Sequence, residues 1–95
     1  METTFNQLSK QEIKNAFCKF ITNKRRCDKS LLIFLTRELY TLHKMDSTRC
    51  LYMHEYKRED ILHALFYYIE LNDNFILPLL NSDWIKNQIV EIHNK

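Results

Sequence analysis

The sequence predicts a mainly α-helical protein, and three observations lead there. Glycine is absent and proline occurs once in 95 residues, whereas glycine is normally about 7 % of a chain. Tight β-hairpins depend on glycine, so an all-β fold is disfavoured. Apolar residues recur at helical spacing in several stretches, most strongly in Lys57–Asn72. Helix-start chemistry precedes such stretches, in Ser9 with Glu12 and in Asn81 or Ser82 with Asp83.

The first helix is expected over Lys10–Thr22. Ser9 and Glu12 form a capping box, and Ile13, Ala16, Phe17, Phe20 and Ile21 make its apolar stripe. Asn23 supplies a stop in a chain that has no glycine for one. In Ser30–Lys44 the short run LLIFL reads as a buried strand or as a helix start. The favoured reading is a helix from about Thr36 to Lys44, capped by Thr36, with Leu35, Leu39 and Leu42 on one face. Met45–Tyr56 is a connector with turn residues at Asp46, Ser47 and Thr48 and a brief strand at Leu51, Tyr52 and Met53.

The central helix, Lys57–Asn72, carries Ile61, Leu62, Leu65, Phe66 and Ile69 as one broad stripe. Glu59 and Asp60 sit in its first turn, where the helix dipole favours negative charge. Asn72, Asp73 and Asn74 end it. The run Phe75–Leu80 is broken by Pro78, which predicts an extended edge or a turn. A last helix opens near Asp83, with Trp84, Ile85, Gln88, Ile89 and Ile92 on its amphipathic face.

The length supports one domain, residues 1–95. Apolar residues are 45 % and aromatics 13 %, too rich for a disordered chain. No apolar run approaches the roughly 20 residues of a membrane span, and the opening METTFNQLSKQE is polar, unlike a signal peptide. The expectation is a soluble intracellular protein, nuclear or cytoplasmic, with no membrane partner. Richness in Lys, Asn, Ile, Phe and Tyr fits an AT-rich genome, such as a virus or an intracellular parasite has.

The chemistry on offer is sparse. Without glycine there is no phosphate-cradling P-loop or dinucleotide fingerprint. Cys18, Cys27, His43, Cys50 and His54 could be gathered into a metal set, but no Cys-x-x-Cys pair exists. No cofactor, metal or catalytic residue is assigned. Three cysteines, an odd number, fit reduced thiols. The most basic stretch is Asn23–Lys29, where Lys24, Arg25, Arg26 and Lys29 could contact phosphate. The whole chain is only +2, a small excess for a general nucleic-acid binder.

At the central helix the chain resembles a SWIB domain, the helical module of chromatin-remodelling subunits. The matching residues are Arg58, Glu59 and Ile61, then Ala64, Leu65, Phe66, Tyr68 and Ile69, then Asn72, Asp73 and Asn74. Phe66 stands where the family has tryptophan. Upstream, Leu35, Thr36, Glu38 and Leu39 resemble the family's helix start; downstream, Ile76–Ile89 is similar in layout. The resemblance covers roughly residues 33–90, and the helix at residues 9–22 is the candidate to replace the family's final helix.

The resemblance implies an open four-helix bundle with short capping β segments. It also implies a non-enzymatic protein-interaction module of transcription or chromatin-associated complexes. The family's fold is shared with the domain by which certain ubiquitin ligases grip a tumour-suppressor helix. By position in that motif, Leu62, Leu65, Phe66, Ile69 and Phe75 would border a groove for an amphipathic partner helix. The ring of Phe66 would partly fill it, so that particular ligand is not expected. The same five residues read without the resemblance are core. The competing function is a small helical protein that binds phosphates through residues 23–29.

Overall fold

Four α-helices follow one another among the described residues: α1 (Lys10–Thr22), α2 (Lys29–Leu42), α3 (Arg58–Leu71) and α4 (Asp83–His93). The computed structural model describes residues 3–46, 48–72 and 74–95. Met1, Glu2 and the turn residues Ser47 and Asp73 lie outside the described residues. Short 3₁₀ helices occupy Phe5–Gln7, Thr48–Glu55 and Leu77–Asn81. The architecture is mainly helical, and no strand occurs among the described residues.

Helix α1 starts as its capping box dictates. The Glu12 amide donates to Ser9 Oγ at 3.1 Å and the Ser9 amide donates to Glu12 Oε1 at 2.9 Å. Ala16, Phe17, Phe20 and Ile21 are buried. Asn23 ends the helix and shapes the next turn, accepting from the Arg25 and Arg26 amides at 3.0 and 3.3 Å.

Helix α2 corrects the expected start. It begins well before Thr36, at Lys29, with Asp28 as cap accepting from the Leu31 amide at 2.8 Å. Aspartate is a stronger N-cap than threonine, and the earlier start buries Leu32 with Leu35 and Leu39. Thr36 is fully buried inside the helix, its hydroxyl donating to the Leu32 carbonyl at 2.8 Å. The end of α2 is a Schellman motif built without glycine. Lys44 takes the left-handed conformation, φ 56°. Its amide donates to the Thr41 carbonyl at 3.1 Å, and the Met45 amide to the Tyr40 carbonyl at 2.8 Å.

The strand expected at Leu51–Met53 is instead part of a 3₁₀ helix. The burial pattern gives the reason. Cys50 and Met53 are buried while Leu51 and Tyr52 are exposed, a spacing that matches the three residues per turn of this helix type. The segment Phe75–Leu80 is likewise wound, with Pro78 in the first turn of Leu77–Asn81. The fixed φ of proline suits that place, and its missing amide leaves no bond unmade there.

Helix α3 lays Ile61, Leu65 and Ile69 into the core. One hydrophobic cluster draws on all four α-helices, and α1 packs chiefly on α4 and also on α3. A stacked aromatic ladder closes one end. His43 lies over Phe75 at 4.4 Å, Phe75 over Tyr68 at 5.4 Å, and Tyr68 meets Tyr40 edge-on at 5.5 Å. Thr3 and Asn94, near opposite ends of the chain, exchange hydrogen bonds at 3.1 and 2.9 Å.

Candidate functional site

The five residues that the family resemblance sets beside a groove lie in or against the core. Leu65, Ile69 and Phe75 are 0 to 3 % exposed. Leu62 and Phe66 are half-buried and packed on the same cluster. This stripe of α3 is covered by the chain's own helices α1 and α2, so it offers a partner little surface.

The four cations of the basic stretch are divided. Lys24 and Arg25 are exposed. Arg26 bonds to Gln88 at 2.8 Å and pairs with Glu91 at 3.2 Å, fastening the loop to α4. Lys29 donates to the His54 carbonyl at 2.7 Å. Arg58, at the start of α3, is a clamp. Its guanidinium donates to the carbonyls of Ile21 at 2.6 Å and Cys27 at 2.7 Å. It thereby ties the end of α1 and the start of α2 to the first residue of α3.

Among the described residues no group of three or more His, Cys, Asp or Glu side chains is placed to hold a metal ion. His43 Nε2 is 2.6 Å from the Phe75 carbonyl, where it acts as donor. Burial pushes the Cys27 thiol up to about 11 and raises Cys18 and Cys50 as well, so the thiolate that nucleophilic chemistry needs is disfavoured at each.

A different surface stands out. Helix α2, the 3₁₀ helix Leu77–Asn81 and the start of α4 enclose an apolar groove of about 350 Å³. Leu31, Leu35, Glu38 and Leu42 of α2 run along one side; Pro78, Leu79, Ser82 and Ile85 form the other. Two aromatic rings stand at its rim, Phe34 at 56 % exposure and Trp84 at 47 %. Leu42 is also exposed. Trp84 is braced from below by Phe20, edge-on at 5.7 Å. Among the described residues Glu38 is the only charged side chain lining the groove, and it makes no ion pair with any of them.

The sequence holds a signal for this surface that periodicity does not use. LLIFL is apolar at five successive positions, Leu31 to Leu35, and five successive helical residues point all around the axis. A helix packed on one face must leave part of such a run uncovered, and here Phe34 is that part.

Comparison with protein-family models, with curated proteins and with solved structures gives no match to this chain.

Proposed function

We propose that the chain is a non-enzymatic protein-interaction module of SWIB type, acting in transcription or chromatin-associated complexes. The observation that carries the interaction role is the apolar groove beside α2, with Phe34, Leu42 and Trp84 exposed around it. Scattered surface apolar residues are ordinary. Large ones gathered around a concave surface mark a place for another molecule. The SWIB type is supported by the central helix. Arg58–Leu71 presents the motif with Ile61, Leu65 and Ile69 buried and Ala64, Phe66 and Tyr68 half-buried. In this reading α1–α4 form an open bundle whose ends are closed by 3₁₀ turns in place of strands. The binding surface lies beside α2 instead of α3.

The test is affinity capture from nuclear extract with three baits: the native chain, Phe34→Asp, and a double variant of the two exposed cations, Lys24→Ala with Arg25→Ala. Each is run with and without nuclease. The expected result is a set of transcription or chromatin proteins that survives nuclease, persists with the double variant and is lost with Phe34→Asp. A catch that vanishes with nuclease or with the double variant overturns the reading and moves the function to the basic stretch at residues 23–29.

A further inference from the structure

We propose that the occupant of the groove beside α2 is an amphipathic helix of another protein, about three turns long, that brings a lysine or arginine to Glu38. The proposal rests on the interaction role and specifies the partner's chemistry. Length comes first. Leu31, Leu35, Glu38 and Leu42 are spaced i, i+4, i+7 and i+11 along α2, so the apolar floor runs for about 16 Å. A helix of about eleven residues covers that length with anchors one turn apart. The rings of Phe34 and Trp84 stand on opposite walls, and Trp84 is held by Phe20. The anchor pocket is therefore formed before the partner arrives.

Charge selects the partner. The chain is +2 overall, yet among the described residues the only charged side chain lining this groove is a carboxylate, Glu38. The neighbouring Arg37 does not line the groove. Covering Glu38 with apolar surface alone would leave a carboxylate dehydrated and unpaired, whereas a lysine or arginine in the partner satisfies it. Phosphate is repelled by the same group. A second copy docked groove to groove about a two-fold axis would bring only the same lining to Glu38, and that lining holds no lysine or arginine among the described residues.

Trp84 is the only tryptophan, so its emission reports the groove directly. The probes are two synthetic lactam-bridged helices, each about three turns long and with the same leucine stripe, one flanked by lysines and one by glutamates. The basic helix should shift Trp84 emission to the blue and shield it from acrylamide. The acidic helix should bind about tenfold more weakly, against the attraction of the chain's net positive charge. Glu38→Lys should erase or reverse the preference, and Phe34→Asp should abolish both titrations while the far-UV spectrum stays native. Equal affinity of the two helices, or a preference unmoved by Glu38→Lys, overturns the basic partner and leaves the interaction role standing. A dimer seen by sedimentation, with Trp84 shielded, assigns the groove to a second copy and overturns the proposal. If neither helix moves Trp84 emission, the proposal falls, and the Phe34→Asp capture decides the interaction role separately.

Discussion

Replacing Arg58 by alanine should destabilise the fold by about 2–4 kcal/mol, since hydrogen bonds to charged groups contribute roughly 1.5–3 kcal/mol each and two that share one side chain do not add fully. The guanidinium makes two short bonds, to the Ile21 carbonyl at 2.6 Å and the Cys27 carbonyl at 2.7 Å. The Ile21 carbonyl lies in the last turn of α1, where no amide of the helix reaches it. Cys27 precedes the cap of α2, so the loss is felt in three helices together. For a domain of this size the shift corresponds to a fall in Tm of roughly 10–20 °C. The assay is urea unfolding followed by Trp84 emission and by far-UV circular dichroism, with coincident transitions required. Arg58→Lys should recover less than half of the loss, because an ammonium lacks the planar fork that spans two carbonyls. A loss below about 0.5 kcal/mol for Arg58→Ala, or full recovery by lysine, would refute the clamp and return Arg58 to the pool of surface cations.

Three further outcomes rest on single contacts. Lys44→Gly should raise stability by about 1 kcal/mol, since it removes the steric cost of a side chain at φ 56°; an unchanged or lower urea midpoint would count against the Schellman geometry. Leu65→Ala should cost about 2–5 kcal/mol, because Leu65 has no exposed surface; a near-neutral result would place it in an open groove. Glu12 is held below its usual carboxylate range by hydrogen bonds from Ser9, and Glu91 by Arg26. Each folded value is depressed, so each contribution is complete above the ordinary value of 4.5 and is lost as pH falls through the folded value. Urea midpoints measured from about pH 6 down to about pH 3 should therefore fall less steeply in Glu12→Gln and in Arg26→Ala than in the native chain.

Legibility in the sequence varies with how local the cause is. Helix α1 is legible to both ends because Ser9, Glu12 and Asn23 act within a few residues of themselves. The start of α2 is hidden because Asp28 sits inside a basic stretch, where it reads as a charge instead of a cap. Leu51–Met53 and Phe75–Leu80 are short apolar runs, with too few positions to separate a strand period from a 3₁₀ period. The groove is harder still. Its two sides, Leu31–Leu42 and Pro78–Ile85, are far apart in the chain, and no local pattern joins them.

Composition and near neighbours, both present in the sequence, determined a helical chain without glycine, the central helix with its apolar stripe, and the cap at Ser9; between Asn81 and Ser82 the structure chose Ser82. Tertiary structure alone decided which apolar residues stay in contact with water. Leu65, Ile69 and Phe75 are core because α1 and α2 close over α3; Phe34 and Trp84 remain at the rim because no described element covers them. Tertiary structure also drew Arg26, Lys29 and Arg58 out of the basic surface and onto backbone and side-chain acceptors. The physical reason is the same in each case: burial and pairing depend on what arrives from elsewhere in the chain.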